Sequence, residues 1–258
     1  MQVATILPTK YIEYAKDDKY HLCLAHLIGV DDKYTDFFRR QVRRGHFVIM
    51  DNGAAEDAQP SVETLIERAQ MVKPSEVALP DVIHNKDLTL ELSRAAMEEF
   101  FRTGKIWNFM AIPQGETFED WIECAATMLT WPSFVTSIGV SKFLTQRYGQ
   151  DARKRAVEQL ARLQSVKRKS RSLAMPKAIH LLGCWEHPLE IGTIGNRFII
   201  RGTDSAIAYI YTKAGEVLMN QPRPEGVEID FMGDDKVDEN LLKANIKNWG
   251  TWCNVGEL

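Results

Sequence analysis

The sequence predicts a (β/α)₈ barrel, on three observations. Short, β-branched apolar runs alternate with longer amphipathic ones along most of the 258 residues. Eight such strand–helix units are complete by Lys213. Aspartate, glutamine and glycine follow the ends of the apolar runs, where barrels of this class carry their chemistry. Strands that alternate with helices imply a parallel sheet, and eight units is the barrel count. A doubly wound open sheet fits the same alternation, but no G-x-G-x-x-G follows the first strand to support a dinucleotide-binding version.

Each unit has a local reason. Val3–Leu7 (VATIL) reads as a strand. Tyr20–Leu27 (YHLCLAHL) reads as another, although a helix fits so short a run equally well. Asp32–Arg44 is helical, with Tyr34, Phe37, Phe38 and Val42 on one face. His46–Met50 is a strand. Ser61 caps a helix to about Val72. Glu76–Leu79 is strand-like, and Leu88–Arg102 is a helix stopped at Thr103-Gly104. Trp107–Ile112 is a strand. Thr117 opens a helix to about Leu129, with Glu119 and Asp120 in its first turn favouring the macrodipole. Phe134–Val140 is a strand and Gln150–Leu163 a basic helix. Ala178–Leu182 is a strand, Glu186–Ile194 a short helical segment, Arg197–Arg201 a strand and Ser205–Lys213 a helix. Residues 1–213 therefore form the barrel, and 214–258 a C-terminal extension packing on it, with a helix from about Asp238 to Trp249.

Composition narrows the function classes. With 45% hydrophobic and 26% charged residues the chain is not a disordered one. No apolar run of about 18 residues exists, so no membrane partner is expected. The N-terminal stretch lacks the basic-then-apolar pattern of a signal peptide. Cys23, Cys124, Cys184 and Cys253 are scattered, with no C-x-x-C pair, so neither a cysteine-cluster zinc site nor any other cofactor is expected. Both features suit a reducing, cytoplasmic setting.

The net charge of −3 hides an asymmetry. Between Arg147 and Lys177 ten basic residues face only Asp151 and Glu158, a local +8 that leaves −11 on the rest. Such a block suits either a polyanion partner or a solvated helix face.

Reading off the strand ends gives Asp51-Asn52-Gly53, Pro80-Asp81, Pro113-Gln114-Gly115, Gly139-Val140-Ser141-Lys142, Gly183-Cys184 and Gly202-Thr203-Asp204-Ser205. Asp51, Asp81 and Asp204 each also suit a helix N-cap. Three at strand ends, with Gln114 between, are less easily explained by capping, and an Asp pair on one rim suits glycosyl chemistry, in which one carboxylate attacks the anomeric carbon and the other handles protons. Trp185 and His187 follow the Gly183 turn, where they would line the pocket or pack beneath it. His180 reads as a satisfied core histidine.

The ordered series resembles the tRNA-guanine transglycosylase superfamily, especially its shorter members that insert 7-deazaguanine bases into DNA in phages and bacteria. The pieces are FVIMDNGA from Phe47, ALPDVI from Ala78, IPQG from Ile112, SIGV from Ser137, HLLG from His180 and GTDSA from Gly202. The resemblance implies a (β/α)₈ barrel that exchanges guanine for a modified base without breaking the backbone. It places the general acid/base at Asp51 and the covalent nucleophile at Asp204. Asp81, Gln114 and Gly139 fall at base-recognition positions, and Gly183 is expected to bind substrate with them. A carboxylate accepts the paired donors of a guanine edge, a glutamine can donate and accept opposite it, and a glycine brings backbone close. A duplex target must first be flipped out.

This chain departs from the family's pattern in three places. Asn52 and Ala54 stand where the family has Ser and a second Gly. Arg201 stands at the first position of the D-x-x-D found in some relatives, leaving Asp204 as the nucleophile candidate. The C-x-C-x-x-C zinc subdomain of the tRNA enzymes is missing, which favours DNA over tRNA as partner, alongside a 7-deazaguanine base. Lys142, Arg147, Arg153, Lys154, Lys167, Arg168, Lys169 and Arg171 are then expected to track phosphates. A non-catalytic nucleic-acid-binding barrel and a small-glycoside hydrolase remain the other classes.

Overall fold

The computed structural model describes residues 1–54, 58–169, 176–184, 188–195, 197–219 and 221–254, except the side chains of 167–169 and 197. Eight parallel strands form a nearly closed barrel: β1 (Gln2–Thr5), β2 (Tyr20–Leu24), β3 (Phe47–Asp51), β4 (Glu76–Ala78), β5 (Phe109–Ala111), β6 (Val135–Ser141), β7 (Ala178–Leu182) and β8 (Ile200–Ser205). Their order is β1-β8-β7-β6-β5-β4-β3-β2, every ladder parallel, with β1 beside β2 at the seam. This ring excludes the doubly wound alternative. Outside it lie α1 (Asp32–Arg43), α2 (Val62–Val72), α3 (Lys86–Arg102), α4 (Phe118–Met128), α5 (Phe143–Tyr148), α6 (Ala152–Lys169), α7 (Pro188–Thr193), α8 (Ile207–Lys213) and α9 (Glu239–Cys253). Among the described residues no helix is long and apolar enough to cross a membrane.

Helix starts follow local chemistry. Asp31, Ser61, Asn85, Thr117 and Asp238 each accept a backbone N–H of the helix they open, and Thr117 and Asp120 form a reciprocal capping box. Each cap contributes about 1 kcal/mol. Asp51, Asp81 and Asp204 are not among these caps, so the capping alternative for the three strand-end aspartates falls away.

Several elements differ from expectation. The Tyr20–Leu27 run is a strand only to Leu24, and Ala25–Leu27 is a 3₁₀ turn. The β1-to-β2 crossover, for which the sequence suggests no element, is a 3₁₀ segment, Thr9–Ala15. A short helix, α5, follows β6. The eighth strand is shifted to Ile200–Ser205, so that Gly202 lies inside it instead of opening a turn. A Cβ on Gly202 would come within 2.6 Å of the Tyr20 ring and 2.8 Å of the Gln2 carbonyl, so the glycine is there for close packing.

The basic block does not form one face. In α6, Arg153 is fully buried. Its guanidinium donates to the carbonyls of Gly183 (2.9 Å), Val140 (3.2 Å) and Leu182 (3.4 Å), all at the C-terminal ends of β6 and β7. Arg153 is therefore a structural pin and is withdrawn from the phosphate-contacting set. At the other end, Gln164 brackets the backbone of Lys177 at the start of β7 (2.7 and 3.0 Å). The Lys177 ammonium donates to the carbonyls of Trp131 (2.9 Å), Pro132 (3.2 Å) and Val135 (2.6 Å), and burial lowers its pKa to about 8. The start of α6 thus lies at the C-terminal rim. Lys167, Arg168 and Lys169 lie on its last turn, roughly 20 Å away at 1.5 Å per residue. That places their backbone toward the opposite end of the barrel from the rim. Arg171 lies outside the described residues, as do Trp185 and His187.

The C-terminal extension packs through α9 against α7, α8 and β1. Asn245 accepts from the Leu218 amide (2.7 Å) and donates to Thr212 (3.0 Å) and the Glu216 carbonyl (2.9 Å). Between α8 and α9 the chain runs as a strap over the rim. The Tyr211 hydroxyl holds the carbonyls of Gln221 (2.6 Å) and Pro222 (3.0 Å), and the Thr9 amide holds that of Phe231 (2.9 Å).

Candidate active site

A cavity of about 730 Å³ opens at the C-terminal rim, within the usual range for small-molecule sites. Leu22, Ile112 and Leu182 contribute apolar lining. Asp51, Asp81, Gln114, Gly183, Asp204 and Lys142 all border it. The sequence-expected residues from six different strand ends therefore converge, with Gly139 the exception. Gly139 lies inside β6, where a Cβ would meet Leu182 at 2.8 Å, Ile112 at 3.1 Å and Met110 at 3.3 Å. It makes room for the cavity floor. At this strand it is Ser141, which ends β6, with Lys142 and Phe143 just after it, that line the cavity.

Asp81 is buried and held from both sides. Asn52 Nδ2 donates to Oδ1 (2.6 Å) and to the Leu79 carbonyl (2.7 Å), and Gln114 Nε2 donates to Oδ2 (2.5 Å). The Gln114 amide is itself oriented, because its Oε1 accepts from the His84 amide (3.2 Å), His84 adopting a left-handed backbone (φ +64°). Asn52 thus serves as a clamp on the carboxylate. Burial pushes the Asp81 pKa up to about 6, against the lowering by Asn52 and Gln114. A carboxylate has about four acceptor positions, so two remain for a ligand presenting adjacent N–H groups.

That shift has a stability consequence with a definite sign. The folded pKa of about 6 exceeds the unfolded value of 3.8. Folding gains from protonation below pH 4, and the gain is lost as pH rises through 6. The full effect is on the order of 3 kcal/mol. In urea titrations, the wild-type midpoint should rise between pH 7 and pH 4.5 relative to Asp81→Asn. Asp18, also pushed to about 6 by burial and then by Asp17, cancels in that difference. Parallel curves for the two proteins would contradict the assignment.

Asp51 ends β3, and its Oδ2 accepts the Gly53 amide (3.0 Å). Asp204, in β8, accepts at Oδ1 from the His180 ring (2.7 Å) and, more weakly, from the Gly183 amide (3.4 Å). Among the described residues, its Oδ2 takes no hydrogen bond. Gly183 has φ +68°, and a Cβ there would lie 2.7 Å from Lys142, so only glycine suits this approach.

Sequence reasoning missed two contributors. His180 is the core residue its strand position suggests, but its partner is Asp204. The strap supplies Arg223, Glu228 and Phe231 to the cavity wall. Arg223 sits between two prolines in a segment anchored by Tyr211, and among the described residues it has no carboxylate partner. The one hint in the sequence was the rigid Pro-Arg-Pro itself. Around the rim, Arg147 and Lys154 are exposed, and Arg155 lies over the Phe118 ring at 4.2 Å.

Compared with known proteins, the chain matches no family model, and no curated protein is significantly similar to it.

Proposed function

We propose that the protein is a base-exchange glycosyltransferase that replaces guanine in DNA by a 7-deazaguanine base. The observation that carries this reading is the meeting of three buried carboxylates, Asp51, Asp81 and Asp204, at one cavity, none of them spent on a helix cap. Asp81, clamped by Asn52 and Gln114, accepts the two adjacent N–H groups of a guanine-type edge. Asp204 Oδ2 attacks C1′ of the deoxyribose as the bond from C1′ to the base nitrogen breaks, and the electron pair leaves with the base. Asp51 passes a proton to the departing base. It takes one back from the incoming 7-deazaguanine, whose nitrogen then displaces the Asp204 carboxylate. The protein ends as it began, with no backbone phosphodiester broken.

A polymeric substrate is supported by the cations at the rim: Lys142, Arg147, Lys154, Arg155 and Arg223. DNA is favoured over tRNA because the sequence has no C-x-C-x-x-C motif.

The test supplies radiolabelled guanine or 7-cyano-7-deazaguanine with duplex DNA, single-stranded DNA or tRNA. Label should enter DNA, and affinity should fall steeply with salt as phosphate contacts release counterions. Label in tRNA alone would overturn the DNA assignment. Salt-insensitive cleavage of a free nucleoside, with no exchange, would overturn the transferase reading.

A further inference from the structure

Behind Asp204 the barrel interior contains a chain of polar side chains to which the proposed reaction gives no role. It starts at Asp204 Oδ1, 2.7 Å from His180 Nε2. His180 Nδ1 is 2.8 Å from the Tyr20 hydroxyl. Arg201 Nε donates to the same hydroxyl at 3.1 Å. The Arg201 guanidinium then pairs with both oxygens of Glu76, through Nη1 at 3.1 Å and through Nη2. His180 is fully buried and Tyr20 and Glu76 nearly so. The chain runs from the cavity at the end of β8 to the start of β4, crossing the barrel through β7 and β2.

With Asp204 ionised and His180 neutral, the protons in this chain have one consistent order. An arginine side chain can only donate. The Arg201 Nε–H therefore points at the Tyr20 oxygen, and the Tyr20 proton is left to point at His180 Nδ1. Burial favours keeping that phenol protonated. His180 Nδ1 then accepts, which leaves its single proton on Nε2, aimed at Asp204. The Arg201 charge is taken up by Glu76, so it reaches His180 as an oriented dipole and not as a cation.

We propose that His180, Tyr20 and Arg201 are positioning residues that fix the Asp204 carboxylate for attack, with His180 held as the neutral Nε2–H tautomer. This rests on the reading of Asp204 as the nucleophile. One hydrogen bond on Oδ1 fixes the plane of the carboxylate and leaves Oδ2 for C1′. A neutral imidazole does so without cancelling the carboxylate's charge, as an imidazolium would. Because its one proton is committed to Asp204, His180 is not the acid that protonates the leaving base. That task stays with Asp51. Gly202 belongs to the same device, since its missing side chain is the space the Tyr20 ring occupies.

Two measurements test this. Nitrogen NMR of the intact protein near neutral pH, with the His180 signals assigned by their loss in His180→Gln, should show a protonated Nε2 and a bare Nδ1. An imidazolium or the Nδ1–H tautomer would overturn the proposal, whatever the protein's activity. In exchange assays, His180→Leu should lower kcat about 100-fold, the usual scale for a misplaced reacting group, with KM within about threefold. His180→Gln keeps a donor toward Asp204 and should recover kcat to within about tenfold of wild type. Equal losses in the Leu and Gln variants, both folded by circular dichroism, would reduce His180 to packing and overturn the proposal. If exchange itself is never found, or survives Asp204→Asn, the nucleophile reading fails instead, and the NMR result still decides the proton order.

Discussion

Replacing Asp204 by Asn should lower base exchange by at least about 10⁴-fold, the scale seen when a covalent nucleophile is removed, while base binding changes little. The amide is nearly isosteric, so the cavity, Asp81 and Gln114 are undisturbed. It has lost the anionic oxygen proposed to attack C1′. The hydrogen bond from His180 also survives, because the amide oxygen accepts Nε2–H as Oδ1 did at 2.7 Å. Binding of 7-cyano-7-deazaguanine, read by calorimetry, should therefore stay within a few-fold of wild type. Binding should weaken in both proteins as pH falls through 6, where Asp81 takes up a proton. Base affinity and folding stability thus move in opposite directions over the same pH window. That opposition is a direct mark of a buried carboxylate kept ionised for a ligand's use. A variant that kept full exchange activity with Asn at 204 would remove Asp204 as nucleophile.

The largest effect on stability should come from Glu76. This carboxylate is 1% exposed and accepts from Arg201, from Ser137 at 2.8 Å and from Thr136. Glu76→Ala leaves the Arg201 guanidinium without its counter-charge inside the barrel. The cost should be about 3–5 kcal/mol, as for other broken buried pairs. Thermal unfolding should drop by roughly 10 °C or more, at a few degrees per kcal/mol for a chain of this size. The pair itself is not expected to be a large net source of stability, because both ions were desolvated to make it. Replacing both residues by methionine should therefore recover a substantial part of the loss. It should not recover exchange activity, because Tyr20 then loses the donor that orders its proton. A double variant as unstable as Glu76→Ala would contradict the desolvation argument.

Several parts of this molecule were legible before its structure. Ser61 and Thr117 are caps by chemistry that acts within four residues, so their helices begin where the sequence places them. Asp51, Asp81, Gln114, Gly183 and Asp204 follow apolar runs, and a parallel barrel brings such positions to one rim whatever the details of packing. What was not legible depends on distant residues. Gly202 looks like a turn until the Tyr20 ring is seen filling its space. Gly139 looks like a backbone contact for a ligand until Leu182 and Ile112 are seen against it. The basic block looks continuous in sequence, but an 18-residue helix carries its two ends apart, and Arg153 and Lys177 turn inward onto carbonyl groups. His180 and Asp204 are 24 residues apart, on neighbouring strands, and no local pattern announces that they meet. Arg223 reaches the cavity only because Tyr211 ties the strap across the rim.

The central claim is a covalent bond between Asp204 and the sugar. The most direct measurement incubates the protein with guanine-containing duplex DNA, removes free guanine, denatures the mixture and maps the adduct by peptide mass. A DNA strand should be carried on the peptide containing Asp204 and released when 7-cyano-7-deazaguanine is added before denaturation. An adduct on Asp51 or Asp81, or unmodified protein in a mixture that is exchanging base, would contradict it.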